Sequence, residues 1–497
     1  MDFILLHQNH FKMFLPEVFL ATSILILTLY ATYVVSSHFL GYPIITSGFN
    51  KICLLVLSLT LLLVCNNTIP FMLTYNNTFI FDALTTYSKG LIIFFSIVCM
   101  TIFEDSLLRQ KINNFEYFIL LLCAVLGLML LVSSFDLISL YLAIELQSLC
   151  LYVLAAAKKD STFSTESGLK YFILGSFSSG LLLFGISVIY GTVGTTNFEN
   201  LSLLFAGSNE ILSNLESSII IGLVFISAAF FFKIAAAPLH MWSPDVYEGA
   251  PVSSTIFFAV IPKIAMFSVF LRLFQNVFSN FHDFFLLATV LFAMFSVTIG
   301  SFVALKQKKI KRLLAYSSIS HVGYMLLAFS ANSIEGTQAL FFYLIIYMVT
   351  SVVLWSLLLS VNTSTNTERS KTLVDLSYLS TTNPLLAFTG LIAFFSLAGV
   401  PPLAGFYAKM TIFLTTISSS LIFASVFAIL TSVISSYYYI RIIKNLYFEK
   451  RENTTFFIPV TRSCSLVMGS SSFLLIYFFI NPTLLMLLAE KMALCLF

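Results

Sequence analysis

Long apolar stretches follow one another along nearly all of this 497-residue chain, and no other feature limits the fold as strongly. A run of roughly 18 to 25 mostly apolar residues is the length that crosses a hydrocarbon core as a helix. About 14 such runs can be counted, centred near Ile26, Leu57, Phe94, Leu126, Ile144, Leu181, Val224, Ala265, Leu291, Leu326, Ile346, Ile392, Ala428 and Leu475. Hydrophobic residues make up 59% of the chain and charged residues 9%, which excludes a water-soluble domain of this size. The expected fold class is an all-α polytopic membrane protein. Its short, weakly charged N-terminus precedes no small-residue cleavage site, so the first span is expected to be a retained helix.

Charge gives the spans an orientation, because short loops rich in Lys and Arg stay on the side where the protein is made. With the N-terminus outside, the loops after odd spans hold Arg109 and Lys111, Lys158 and Lys159, the run from Lys306 to Arg312, Arg369 and Lys371, and Arg441 through Arg451. The loops after even spans carry Asn66 and Asn67, Asp136, the stretch Asn197 to Glu216 and Asn332 to Glu335, with almost no basic residues. Arg272 and Lys491 are the exceptions. An odd miscount upstream would scramble this pattern. The net charge of +3 reflects this bias and does not argue for a nucleic-acid partner.

Four ionisable residues interrupt the apolar stretches: Glu145, Lys233, Lys263 and Lys409. A charge at membrane depth is expensive, and by default it marks an ion pathway. Pro238 and the pair Pro401-Pro402 also fall inside apolar stretches, where each removes a helix hydrogen bond, so broken helices are expected there. Lys233 precedes the first break, Lys409 follows the second beside Gly405, and Lys263 directly follows Pro262. Irregular backbone at membrane depth is tolerated where protein or trapped water satisfies it. Water, free backbone dipoles and an amine are thereby brought together at two places. Moving one charge against ~100–200 mV costs about 2.3–4.6 kcal/mol, equivalent to a swing of ~2–3 pKa units. Making and breaking a Glu145–Lys233 pair is expected to supply it. The competing reading is a structural tie between helices, with snorkelling lysines. His321 and His240 are candidate relays, with a satisfied core histidine as the alternative.

A weak internal repeat accompanies these residues. Laying Tyr141 to Leu154 on Leu313 to Leu326 matches Ala143, Ser148, Tyr152 and Leu154 with Ala315, Ser320, Tyr324 and Leu326. Ala237-Pro238-Leu239 matches Pro401-Pro402-Leu403 at a similar offset, so the copies lie about 164 to 172 residues apart. That offset spans five helices, and an odd number forces the second copy into the opposite orientation. The expected organisation is an N-terminal three-helix extension (1–115), a five-helix repeat (116–277), a second, inverted five-helix repeat (278–450) and a C-terminal helix (451–497). Glu145 falls opposite Ser317, so the second copy lacks the acid.

Other candidates carry less. The seven cysteines form no C-x-x-C pair and no histidine stands at ligand spacing, so neither a metal centre nor an iron–sulfur cluster is indicated. No strand–glycine-loop–helix fingerprint for a nucleotide is present; Gly191 to Gly194 reads as a turn. Asp82 and Asp136 stand at helix starts and read as caps. Tyr437-Tyr438-Tyr439 reads as an interfacial anchor, and the 54 phenylalanines as lipid-facing and packing surface.

Five strings carry a family resemblance: Leu142-Ala-Ile-Glu-Leu-Gln-Ser148, Glu166-Ser-Gly-Leu-Lys-Tyr-Phe-Ile-Leu-Gly-Ser176, Phe232-Lys-Ile-Ala-Ala-Ala-Pro-Leu-His-Met-Trp-Ser-Pro-Asp-Val-Tyr-Glu-Gly249, Lys311 to Tyr324, and Ala398-Gly-Val-Pro-Pro-Leu-Ala-Gly-Phe-Tyr-Ala-Lys409. Together they resemble the subunit 2 family of NADH dehydrogenase, the antiporter-like membrane subunits of respiratory complex I, of mitochondrial type. The resemblance covers nearly the whole chain after about Phe14. It implies 14 helices with two inverted five-helix repeats, and proton-channel positions at Glu145, Lys233, Lys263 and Lys409. It implies a proton-translocating subunit of an NADH:ubiquinone oxidoreductase that binds no cofactor itself. NADH, FMN, iron–sulfur clusters and ubiquinone would belong to partner subunits. The implied partners are other complex I membrane-arm subunits, including neighbouring antiporter-like and small membrane subunits, and lipids. The implied location is the mitochondrial inner membrane with basic loops facing the matrix, or a bacterial plasma membrane. One departure is that Val252 follows Pro251 where the family often has a second proline. A monovalent cation/proton antiporter subunit and a non-pumping scaffold of the membrane arm are the alternatives; the Glu166 to Ser176 and Trp242 to Gly249 strings favour the complex I family over the antiporter.

Overall fold

The structure, a computed structural model, describes residues 2–34, 46–67, 71–110, 112, 114–207, 209–361, 372–377, 379–449 and 460–497. Lys111, Arg369, Lys371 and Arg451 of the charge pattern lie outside the described residues, as do the side chains of Arg109 and of residues 207–216.

Nearly every described residue is helical, as a chain in hydrocarbon requires, because only a helix satisfies its backbone polar groups within one segment. Thirteen helices among the described residues are long and apolar enough to cross a membrane, and Pro384–Ala398 is a shorter apolar one. Each of the fourteen expected centres falls inside one of these fourteen helices. The shorter member marks where the second proline break falls.

The chain packs as two compact units. The first takes Met1–Lys233, Ile261–His282 and Cys495–Phe497. It contains α1 (Asp2–Val34), α2 (Thr46–Cys65), the strands β1 (Met72–Thr74) and β2 (Phe79–Phe81), α3 (Ala83–Arg109), α4 (Glu116–Ser133), α5 (Leu137–Ala155), α6 (Thr162–Val193), α7 (Phe198–Gly207) and almost all of α8 (Asn209–Ile234). The antiparallel hairpin β1–β2 lies at the end of the unit where α4 turns into α5. Phe79 bridges to Ser134 and Asp136 bridges to Asn197. Asn197 donates to the Asn77 carbonyl at 2.7 Å, and Asn77 donates to Glu199 at 2.8 Å.

Asp136 caps α5 as expected: its carboxylate accepts from the Ile138 amide at 2.8 Å and from the Thr196 hydroxyl at 3.0 Å. Asp136→Ala is expected to cost about 1 kcal/mol, the usual value of such a cap. Thermal dissociation of the purified assembly, shifted slightly downward, would show it.

The second unit takes Ile234–Val260 and Asp283–Leu494. It contains α9 (Trp242–Gly249), the start of α10 (Val252–Leu271), α11 (His282–Leu305) apart from its first residue, α12 (Ile310–Ser330), α13 (Ile334–Ser360), α14 (Leu379–Thr382), α15 (Pro384–Ala398), α16 (Ala404–Ser418), α17 (Ile422–Tyr447), α18 (Arg462–Ile480) and most of α19 (Thr483–Ala493). Apart from their first turns, α12 and α13 are buried, and α15, α16, α18 and α19 pack around α13. Hydroxyls on α12 turn back onto their own helix: Ser317, Ser318 and Ser320 donate to the carbonyls of Leu314, Ala315 and Ser317. Their polarity is thereby satisfied without a partner helix.

Both proline sites break the helix. α8 ends at Ile234, Ala235 turns to φ 63°, and α9 begins at Trp242. α15 ends at Ala398, Gly399 after it turns to φ 83°, and α16 begins at Ala404. Pro262, by contrast, is accommodated inside α10. That helix starts at Val252, so a side chain other than proline serves at its first position.

Candidate functional site

In the first unit the residues expected from the sequence to carry function lie on α5, α8 and α10. Glu145 is half-buried on α5 and Lys233 lies in the last turn of α8, just before the break. Lys263 is buried on α10. The Lys233 ammonium donates to the Tyr152 hydroxyl at 3.4 Å and lies 5.9 Å from the centre of that ring. In this conformation the Lys233 ammonium lies against Tyr152, about two helical turns along α5 from Glu145, and forms no ion pair with Glu145. Glu145 acts on Lys233 through space, and its Oε1 is buried without a hydrogen-bond partner. Tyr152 is fixed by Tyr171, whose ring meets it edge-on at 4.7 Å. Gly175 leaves the room, since a Cβ there would lie 2.1 Å from the tyrosine oxygen.

In the second unit Lys409 is buried in α16, and its ammonium donates to the Ala398 carbonyl at 2.9 Å. It therefore caps the end of α15 across the break. The same ammonium lies 5.4 Å from the centre of the Tyr324 ring. Tyr152 and Tyr324 are matched residues of the sequence repeat, so in each unit a matched tyrosine lies against the lysine beside a broken helix.

A small cavity opens between α12, α13, α15 and α16, with His321, Tyr343, Ser396, Gly405 and Lys409 on its wall. His321 is buried, with Nδ1 2.6 Å from the Tyr343 hydroxyl and Nε2 3.0 Å from the Tyr439 hydroxyl. Ser396 Oγ is buried with no hydrogen-bond partner among the described residues. His240, in the first break, points Nδ1 at the Pro238 carbonyl at 3.2 Å.

The region described as NADH:quinone oxidoreductase/Mrp antiporter, TM, matches residues 134–435. NADH-ubiquinone oxidoreductase chain 2 of Marchantia polymorpha is 40% identical over 495 residues, covering 98% of this chain and 99% of that protein. This chain belongs to the NADH-ubiquinone oxidoreductase chain 2 family. The family extends to bacteria: NADH-quinone oxidoreductase subunit N of Paramagnetospirillum magneticum is 41% identical, with 97% of each chain covered. A chain in the structure of respiratory complex I from Thermus thermophilus with bound aureothin superposes with a TM-score of 0.79 at 29% identity, covering 96% of this chain and 99% of that one. A chain of the Mrp complex from Dietzia sp. DQ12-45-1b has a TM-score of 0.81 at 18% identity and shares the fold.

Three readings change within this family member. Tyr438 and Tyr439 are buried, and only Tyr437 is exposed, so the triplet is not simply an anchor; Tyr439 carries one side of His321. Arg272, the exception to the charge pattern, is no loop residue. It is buried in the π-helical turn Arg272–Val277, pairs with Asp82 at 2.6 Å and donates to the Val132 carbonyl at 3.1 Å. Asp82 is thus a cap that also holds an ion pair. Tyr152 and Tyr324 are matched in the sequence repeat, but one of 22 tyrosines carries no sign in sequence of which lysine it will face.

Proposed function

We propose that this chain moves protons across the membrane within the membrane arm of a proton-pumping NADH:ubiquinone oxidoreductase, with Glu145, Lys233, Lys263 and Lys409 as the carrying groups and His321 as a relay. The observation that carries the reading is the recurrence in each unit of a lysine beside a broken helix, resting on a matched tyrosine. A breakable helix supplies free carbonyls and room for water, and an amine supplies a proton that can be given up. The doubling also supports the reading of two inverted repeats, 116–277 and 278–450, between a three-helix extension and a C-terminal segment (451–497) that holds two helices, α18 and α19, where one was expected.

In the second unit, a proton leaving the Lys409 ammonium passes through water in the cavity, where Ser396 Oγ is an unused partner, to the imidazole of His321. The two tyrosine hydroxyls flanking that ring hold its orientation and exchange protons with it. In the first unit Tyr152 holds Lys233 away from Glu145, so the electrostatic coupling between them changes if the ammonium swings from one to the other. His240 serves the backbone at the first break, and its role is to hold Pro238 in place.

NADH, FMN, iron–sulfur clusters and ubiquinone are assigned to partner subunits, and quinone reduction there drives the proton movement here. The neighbours are other membrane-arm subunits, both antiporter-like and small, together with lipids. The basic loops face the matrix of a mitochondrion, or the cytoplasm if the chain is bacterial.

Glu145→Gln tests the coupling with almost no change in shape. Assembly on a native gel is expected to be normal and coupled turnover to fall by roughly threefold to tenfold, the scale of one lost electrostatic partner of about 1 kcal/mol. Unchanged proton flux in vesicles would remove Glu145 from the pathway.

A further inference from the structure

Beneath the hairpin of the first unit lies a set of charges separate from Glu145, Lys233 and Lys263. Glu17 of α1 and Lys89 of α3 form an ion pair, and both side chains are buried. Asp82, at the start of α3, pairs with Arg272, and these are buried too. The two pairs are close enough that Asp82 and Arg272 both act on Lys89. The Lys89 ammonium also lies 4.2 Å from the centre of the Phe81 ring, on strand β2.

Buried pairs are weak devices for stability, because desolvating two charges can cost more than their attraction returns. The two pairs differ in what chemistry they permit. Asp82 is fully engaged: Oδ1 accepts from the Thr85 amide at 2.7 Å and Oδ2 from Arg272 at 2.6 Å. Its partner is a guanidinium, which keeps its proton in proteins. That pair is fixed. Glu17 and Lys89 are both groups that can change protonation, and the carboxylate has an acceptor to spare, since Glu17 Oε2 is buried with no hydrogen-bond partner.

Position adds the second argument. Arg272 follows Lys263 by nine residues on one continuous helical run, roughly 13 Å along its axis. α5 runs from the hairpin end of this unit to the Lys158–Lys159 loop, so the cluster occupies the end away from that basic loop.

We propose that Glu17 and Lys89 form a proton-exchange pair between Lys263 and the surface under the hairpin. The Lys89 ammonium gives its proton to Glu17 Oε1 across their hydrogen bond, leaving a neutral amine and a carboxylic acid. The buried, unpartnered Oε2 of that carboxyl is where a water entering from the hairpin end takes the proton on, and the amine is reloaded from the Lys263 side. Arg272 and Asp82 supply a fixed, mutually neutralised frame. This inference rests on the proton-translocating reading above.

Lys89→Arg separates exchange from tying, because arginine keeps the charge and the pair with Glu17 but does not release a proton. The whole complex carrying it would be reconstituted in vesicles, and protons moved per NADH oxidised would be measured beside Glu17→Gln and Lys263→Met. The expected result for Lys89→Arg is native assembly with the ratio or the coupled rate lowered about twofold or more, and the same loss in Glu17→Gln. Native pumping by either assembled variant would make the pair a tie and overturn the proposal, as would failure of both to assemble. If Lys263→Met also pumped normally, the underlying reading would have failed; if it alone lost pumping, only the exchange pair would be lost.

Discussion

Lys409→Arg is expected to leave the complex assembled while lowering proton pumping by on the order of tenfold or more, the scale on which a positioned proton-transfer group contributes. The Lys409 ammonium holds the Ala398 carbonyl at the end of α15 and lies against Tyr324, on the wall of the cavity that also contains His321. Arginine can donate to the same carbonyl and keep the charge, so the break stays capped. It cannot hand a proton to the cavity. Lys409→Met removes both functions and leaves the carbonyl unsatisfied, a further cost of about 1–3 kcal/mol. Arginine should therefore lose pumping with little loss of stability, whereas methionine should lose both. Pumping in vesicles and the amount of assembled complex on a native gel, read for both variants, would check this; a Lys409→Arg complex that pumps normally would make the lysine a cap and nothing more.

Gly405→Ala is expected to reduce the assembled complex severely. A Cβ at Gly405 would lie 1.9 Å from the Ser396 carbonyl oxygen and 2.8 Å from Ser396 Oγ. Neither α15 nor α16 can relieve this by turning a flexible side chain, because the first obstacle is backbone. Overpacking a fitted core costs about 1–3 kcal/mol, and a contact this close exceeds that range. The two halves of the broken helix would have to separate, taking Lys409 away from Ala398. Gly180→Ala in α6 is the matched control: nothing lies within 4 Å of its Cβ position, and alanine favours a helix over glycine by about 1 kcal/mol. Loss in the first variant and native amounts in the second, on the same native gel, is the expected pattern.

The helices were legible because hydrocarbon leaves a chain one local solution, and an apolar run of the right length announces it. Both breaks were legible for a related reason: Pro238 and Pro401-Pro402 cannot continue a helix wherever they stand. The lysines were legible because burial makes a charge conspicuous against its neighbours. The partners that complete the site were not. Tyr439 lies in a triplet that looks like a membrane-surface anchor, and only the packing of α17 on α12 turns it onto His321. Tyr152 and Tyr324 were visible as a repeated pair, but which lysine each faces depends on helix rotation, which sequence spacing does not fix. The same holds for Glu145 and Lys233. Their charges invite a salt bridge, and in the structure the ammonium lies against Tyr152 instead. Arg272 misled in the opposite sense, since a lone arginine near a span end looks like a loop residue until Asp82, 190 positions earlier, is found beside it.

The most direct test of the account is the number of protons moved per NADH oxidised by the whole complex carrying Lys263→Met, reconstituted in sealed vesicles. Lys263 is buried inside a continuous helix, and methionine nearly matches its shape, so assembly should survive. The account expects NADH oxidation to slow or uncouple and the proton ratio to fall. A fully assembled Lys263→Met complex with the native ratio would show that protons do not pass by way of these lysines, and would contradict the proposed function at its centre.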